Sequence, residues 1–400
     1  MRRLLIILIA VLTITAGVGP AIAAGTTTAA TGTAQSDVAC DYPIELEDAT
    51  GEQFTFDEQP DSIVALYPSD AQLVFRIGAD DRLDGMPIGE YTDSLDVDGQ
   101  TDISADDGVT PVAEEIIALE PDIVIASDVV MFDEELLEQL RDAGLDVYVY
   151  DTAESIDEIH EDLETAGQLT GSCTGAEIAS EWMDDRLSIV ETALEDEPRP
   201  LALYMLDDQG FTTGSTTFQH EVLTTAGVEN LAAEAGIEGW EPISDETVIE
   251  HDPDWILYGD DAYDEPPVSE AVHETTAMQE GQHFGIDANA ASQPAPDVVF
   301  AVEEIFAGVH GDVHAEVEAD LETVDEEYES SLAAIEESDG DDDSAEGADT
   351  DESSDDDVDA SPDQDTDDSG DDTEDSIPGF GVPVAVAALV GLLGFRLRQR

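Results

Sequence analysis

The sequence predicts an α/β protein made of two similarly built lobes joined by one long helix. Three observations predict it. Short β-branched runs alternate with amphipathic stretches that stop at glycine, the pattern of parallel-sheet structure. The segment Glu115-Ile116-Ile117-Ala118-Leu119-Glu120-Pro121-Asp122-Ile123-Val124-Ile125 returns as Thr247-Val248-Ile249-Glu250-His251-Asp252-Pro253-Asp254-Trp255-Ile256-Leu257, each time a helix, a Pro-Asp corner and a buried strand. Between the copies, residues 155–195 read as helical for far longer than the ~11–12 residues of an average helix, with one interruption at Thr170-Gly171-Ser172-Cys173-Thr174-Gly175.

In chain order, residues 42–56 read as a hairpin around Thr50-Gly51, and Ser62-Ile63-Val64-Ala65-Leu66 as a first buried strand. A helix over 70–77 follows, and Gly78 fits its C-cap. Residues 114–119 are helical, Asp122-Ile123-Val124-Ile125-Ala126 is a strand, 133–143 a helix stopped at Gly144, and 146–150 a strand. These form the first lobe, 39–154, and 155–196 form the connecting helix. The second lobe, 197–336, starts with a strand over 201–206 and a helix over 218–225 that ends at Ala226-Gly227. A helix over 245–251, strands over 255–258 and 283–286, and a last helix from Pro296 complete it. About 290 residues are enough for two domains of ordinary size. Ligands of open α/β sheets sit beyond the carboxyl ends of the strands, so the predicted site is a cleft between the lobes.

Both ends of the chain have their own patterns. Arg2-Arg3, an apolar run and Ala21-Ile22-Ala23 match a secretory signal peptide over 1–23. Residues 24–38 are a Thr/Ala/Gly spacer, and 337–376 an Asp/Glu/Ser/Gly stalk too polar to fold. Pro378-Gly379-Phe380-Gly381, an apolar run and Arg396, Arg398 and Arg400 resemble the sorting tail of archaeal surface proteins, in which the helix is exchanged for lipid; an uncleaved membrane span is the alternative. The expected location is the extracellular face of the cell membrane, with the chain anchored at its C-terminus.

The chain carries 100 acidic residues against 10 basic ones, for a net charge of −90, and all ten are arginine. Such a surface suits molar salt, where the screening length falls to about 3 Å and self-repulsion fades. Only Arg76, Arg82, Arg141, Arg186 and Arg199 fall in the predicted lobes and connector. Nucleic acid is excluded as a partner, since too little positive charge is present to neutralise phosphates. Cys40 and Cys173, the two cysteines of an exported chain, are expected to pair as a disulfide.

The stretch Val64-Ala65-Leu66-Tyr67-Pro68-Ser69-Asp70-Ala71-Gln72-Leu73-Val74-Phe75-Arg76-Ile77-Gly78, the corner Ala118-Leu119-Glu120-Pro121-Asp122-Ile123-Val124-Ile125-Ala126 and Phe211-Thr212-Thr213-Gly214 ahead of a helix resemble the helical-backbone substrate-binding proteins of ABC importers, which carry vitamin B12, ferric siderophores and haem. The resemblance covers about residues 42–314. It implies two Rossmann-like lobes on a single connecting helix, small rigid-body motion, and delivery to a membrane permease with a cytoplasmic ATPase. It also implies docking through one acidic side chain per lobe; Glu221 matches in the second lobe, whereas the first has Gln72, with Asp70 nearby as a substitute.

Strand ends and loops nominate the ligand contacts. In the first lobe they are Tyr67, Pro68, Ser69, Ser127 and Asp128, with Tyr91 on a loop where B12 binders place an aromatic. In the second they are Gln209, Phe211, Thr213, Asp260, Asp261 and Tyr263, with Trp240 in a Gly-rich loop. Aromatics on loops suit a broad planar ligand. Haem and catecholate chelates are anionic and call for arginine or lysine forks, so a corrinoid is preferred and a ferric siderophore or haem is the rival. His310 and His314 have an i, i+4 spacing without the glutamate of a metalloprotease helix, and no nucleophile, phosphate loop or paired carboxylate motif stands out. The expectation is a monomeric binding protein, not an enzyme, with no resident metal or cofactor. A structural surface protein is a third reading, which the α/β alternation opposes.

Overall fold

The computed structural model describes residue 40, residues 42–260 and residues 262–342. The leader, the whole spacer, Asp41, the greater part of the stalk, the sorting tail and Asp261 lie outside the described residues. No helix among the described residues is long and apolar enough to cross a membrane.

The chain enters through an antiparallel hairpin, β1 (Ile44–Glu47) and β2 (Gln53–Phe56). Its turn is held by Asp48, which accepts from the amides of Thr50 and Glu52, both at 2.9 Å, and pairs with Arg141 at 2.8 Å. The first lobe then runs β3 (Ile63–Ala65), α1 (Pro68–Arg76), β4 (Leu83–Met86), β5 (Thr101–Asp102), α2 (Ala113–Leu119), β6 (Ile123–Ser127), α3 (Glu134–Asp142) and β7 (Val147–Tyr150). Its sheet has the order β5-β4-β3-β6-β7 and is parallel throughout. β3, β6 and β7 are buried along their whole length, as expected of strands covered on both faces.

The connecting segment is a helical hairpin, which corrects the single long helix expected over 155–196. α4 (Ile156–Thr170) ends at Gly171, whose φ of 79° takes the left-handed cap, and α5 (Cys173–Ala193) runs back along it. His160 Nε2 lies 3.3 Å from Asp184 Oδ1 across the pair. The fold-back depends on small residues at the turn. A Cβ on Gly167 would stand 2.7 Å from that of Ala176, and one on Gly175 would stand 1.9 Å from the carbonyl of Ile77. The expected Cys40–Cys173 disulfide is present at this turn.

The second lobe comprises β8 (Leu201–Met205), β9 (Phe211–Thr213), α6 (Phe218–Thr225), β10 (Glu229–Asn230), α7 (Leu231–Glu234), β11 (Trp240–Pro242), α8 (Asp245–His251), β12 (Trp255–Gly259), α9 (Thr276–Glu280), β13 (His283–Ile286), α10 (Ala288–Ser292), α11 (Val298–Val309) and α12 (Gly311–Asp342). The sheet order is β11-β9-β8-β12-β13, with β10 also pairing β8. β8, β10, β12 and β13 are parallel, whereas β9 and β11 are antiparallel additions. α12 returns along α5: Trp182 donates to Asp325 at 2.8 Å, and Arg186 pairs with both Glu303 and Asp325.

One apolar core runs from the inner face of the first sheet, past α5, to the inner face of the second, and a smaller core covers the outer face of each sheet. The lobes also touch directly. Gln72 donates to Gln293 at 3.1 Å, Arg76 pairs with Asp297 at 2.6 Å, and Asn289 donates to the carbonyl of Glu90 at 3.4 Å. Arg76 also sits 4.7 Å from the ring of Trp182. Close packing of this kind transmits strain and resists bending, so the lobes are braced against each other.

Candidate functional site

In the first lobe, β3, β6 and β7 deliver Tyr67, Asp128 and Asp151 to one end of the sheet. Tyr67 is the N-cap of α1 and Ser69 lies in its first turn, both half-buried. Asp70, at the third helical position, is wholly buried and ties the strand ends together. Its carboxylate accepts from the amides of Tyr67 at 2.9 Å and Ser127 at 3.3 Å, and from the hydroxyl of Tyr150. Burial pushes its pKa up to about 7, against those hydrogen bonds, which favour the charged form. Asp162 on α4 is also buried, and burial followed by the charge of Asp70 raises it to about 8. Asp128 is half-buried, accepts from the hydroxyl of Thr152, and is likewise raised by burial. Tyr91 is half-buried in a short 3-10 turn over Glu90–Thr92.

In the second lobe the β9–β11 ribbon carries three of the nominated residues. Trp240 pairs in register with Thr213, and Phe211 with Pro242. Cross-strand partners and residues two apart share a face, so Phe211, Thr213 and Trp240 lie on one side of the ribbon. Phe211 is 39% exposed, Trp240 is half-buried, and Thr213 is fully buried. Thr213, on that same side, is thus covered by its neighbours and not open to solvent. Gln209 is exposed on the turn leading into β9. Asp260 is exposed at the end of β12, and Tyr263 packs beside the outer core of the second sheet.

Two residues that the sequence reading missed stand out on the first lobe. Met131 and Phe132, in the 3-10 turn Asp128–Phe132 after β6, are 37% and 53% exposed. The apolar run Val129-Val130-Met131-Phe132 beyond a strand end was their only signal, and of it Val130 alone went into the core.

The docking residues need correction. Gln72 is 4% exposed and bonded to Gln293, and Asp70 is inaccessible, so neither presents a surface to a partner. The N-terminal half of α1 is buried almost all round, because it packs between the first sheet and the second lobe. Glu221 is half-buried and accepts from the amide of Ile156 at 3.2 Å, closing the N-terminus of α4. The His310–His314 pair does not share a helix face. His310 caps α11 and bonds to the carbonyl of Gly227 at 3.1 Å, while His314, on α12, meets Glu303 at 3.1 Å. Among the described residues no three His, Cys, Asp or Glu side chains converge on a metal position.

Charge near the strand ends is one-sided. Besides the pairs already given, Arg82 bonds to the carbonyl of Thr170 and the hydroxyl of Ser172, and Arg199 to the carbonyl of Thr224. All five arginines of the lobes and connector are committed to holding elements together. A first-lobe cavity of about 600 Å³ is lined by Asp48, Asp128, Asp151, Glu158 and Asp162, beside Tyr148 and Tyr150. All of its lining comes from the first lobe and the connector.

Two α/β lobes in direct contact, a bracing helix pair and aromatics on loops and short strands are the architecture of a two-lobed solute-binding protein. Residues 63–290 match the periplasmic binding protein family, to which the chain belongs. The chain is 31% identical over 288 residues to a cobalamin-binding protein of Halobacterium salinarum, a match covering 69% of this chain and 77% of that one. It is 25% identical over 284 residues to an ABC transporter substrate-binding lipoprotein of Bacillus subtilis, covering 69% and 88%. The crystal structure of a periplasmic heme-binding protein from Pseudomonas aeruginosa shares the fold, with a TM-score of 0.52 and 22% identity over 62% of this chain and 92% of that one.

Proposed function

We propose that this chain is the extracellular substrate-binding component of an ABC importer, and that it takes a corrinoid between its lobes for delivery to a membrane permease. The observation that carries the reading is the 31% identity to a cobalamin-binding protein over most of both chains. The commitment of all five arginines to structural contacts supports it, because an anionic haem or catecholate chelate would enter a site without a cationic fork. Phe132 and Tyr67 on one side, and Phe211 and Trp240 on the other, supply the rings that bury a large, nearly uncharged macrocycle at low entropic cost. In molar salt this apolar contact carries the affinity, since long-range attraction is screened.

The leader and the sorting tail support export followed by anchoring at the outer membrane face, with the acidic segment as a tether. The binding test is a thermal-shift titration of the full mature chain in molar KCl. Cyanocobalamin raises Tm with concentration, following mass action on the native state. A rise with a ferric siderophore or haem and none with corrinoids would replace the proposed ligand class.

A further inference from the structure

The first-lobe cavity of about 600 Å³ lies where β7 runs out into α4. Asp151 and Glu154 line it from the segment between the two, Glu158, Glu161 and Asp162 from α4, and Asp128 from the end of β6. The α4 residues are three or four positions apart, so they form a row on one side of the helix. Tyr148 and Tyr150 contribute to the wall.

None of the residues lining this cavity is an arginine or a histidine. Asp48, at its edge, is held by Arg141 at 2.8 Å, and no arginine pairs with the others among the described residues. With 100 acidic residues in the chain, an acidic surface by itself is expected anywhere. Asp162 differs from that background because it is only 8% exposed. Its carboxyl accepts from the amide of Ala153, while its Oδ2 is buried with no hydrogen-bond partner among the described residues. An oxygen that has lost its water and found no donor is destabilising, and a cationic donor entering the cavity relieves it.

The arrangement also selects the kind of cation. No three His, Cys, Asp or Glu side chains among the described residues converge on a metal position, so the negative charge is spread along the cavity. Carboxylates one helical turn apart repeat at ~5.4 Å, close to the separation of two ammonium groups across a three- or four-carbon chain. The volume is that of a small-molecule site, and tyrosine faces attract ammonium groups while packing on the methylenes between them.

We propose that this cavity binds a linear di- or polyamine, one ammonium group donating to Asp162 Oδ2 and a second to Glu158, one turn away on α4. The site is independent of the corrinoid reading, since no second-lobe aromatic lines it. In molar salt the exposed carboxylates are largely screened, and the sheltered contact at Asp162 carries the discrimination. Burial, followed by the charge of Asp70 and with smaller contributions from Glu158 and Glu161, raises Asp162 to about 8, so at pH 7 the empty protein holds a proton there that the ammonium group expels.

The experiment is isothermal calorimetry of spermidine and putrescine into the full mature chain in molar KCl at pH 7, run in two buffers of different ionisation heat beside methylamine and Mg²⁺. Spermidine is expected to bind saturably, more tightly than putrescine, and to release about one proton. Methylamine and Mg²⁺ are expected to give dilution heats only. Asp162→Asn should weaken spermidine by at least about tenfold and abolish the proton release, whereas Glu158→Gln, on the exposed side of α4, should weaken it about threefold and keep the release. Where Asp162→Asn does not fold, the wild-type proton release and the Glu158→Gln loss decide together. Heats that do not saturate, equal binding of methylamine or Mg²⁺, binding without proton release, or affinity unchanged by the substitutions overturns the proposal.

Discussion

In the first lobe Glu120 ends α2 at a φ of 49°, Pro121 follows, and Asp122 accepts from the amides of Asp61 and Ser62 at the foot of β3. In the second lobe Asp252 ends α8 at a φ of 48°, Pro253 follows, and Asp254 accepts from the amide of Leu201 at the foot of β8. The corner is the same at the feet of the strands, and the lobes diverge at the opposite ends. There the first lobe keeps a fully parallel sheet with a buried carboxylate under its loops, while the second adds the antiparallel β9–β11 ribbon with its aromatics. The comparison teaches that duplication preserved the frame that feeds each strand, and left the opposite ends free to differ, one with a buried carboxylate bonded to its loop amides and the other with an added ribbon carrying aromatics.

The disulfide is the largest asymmetry, since it closes a loop of 133 residues around the first lobe and the second lobe has no counterpart. Changing Cys40 and Cys173 to serine is expected to lower the unfolding free energy by about 3–5 kcal/mol, read from denaturant curves in molar KCl. Unchanged stability would show that the hairpin packing alone fixes the turn.

Stacking is expected to be unequal as well. Trp240→Ala should weaken cyanocobalamin binding by about 2 kcal/mol, roughly thirtyfold, as for a buried aromatic anchor, and Phe132→Ser by less because its ring is more exposed. Equal losses would mean that both lobes stack the ligand alike. Tryptophan fluorescence titration separates the two outcomes.

The third contrast is in pH dependence. Asp70 and Asp162 have folded pKa values raised to about 7 and 8, above the ordinary carboxylate range, so their contribution to stability is fully present below about pH 4 and is lost as pH rises through 7 and 8. Asp162→Asn therefore gains Tm relative to wild type as pH goes from about 5 to 9. A constant difference in Tm over that range would place Asp162 in contact with water.

The smallest effect tests the corner itself. Glu120→Gly removes a left-handed non-glycine residue and is expected to stabilise by about 1 kcal/mol. Asp252→Gly gives up the same strain, but also the bonds its carboxylate accepts from the amide of Thr276 at 2.7 Å and from its hydroxyl at 2.9 Å, so it is expected to be neutral or destabilising. Equal gains at both positions would make the two corners energetically identical.

Much of the frame was legible. The buried runs at Ile63, Ile123 and Trp255 became strands, the Pro-Asp repeat became the shared corner, and the two cysteines paired. β9 and β11 were not legible, because strands of three residues are too short for alternation to register. Thr170 to Gly175 was readable as an interruption, but the fold-back of α5 needed the contact of Gly167 with Ala176. Asp70 and Asp162 were hidden among 100 acidic residues, since a carboxylate facing solvent and one sealed beneath a loop are the same letter.

Local periodicity, turn chemistry and charge count act over a few residues or over the whole composition, and they fixed the alternation of strands and helices, the internal duplication and the scarcity of cations. Which side chains lost their water was decided only by the packing of distant segments. That packing enclosed Gln72, paired Arg76 with Asp297 and placed Asp70 beneath Tyr67 and Ser127, because desolvation depends on neighbours that sequence proximity does not supply.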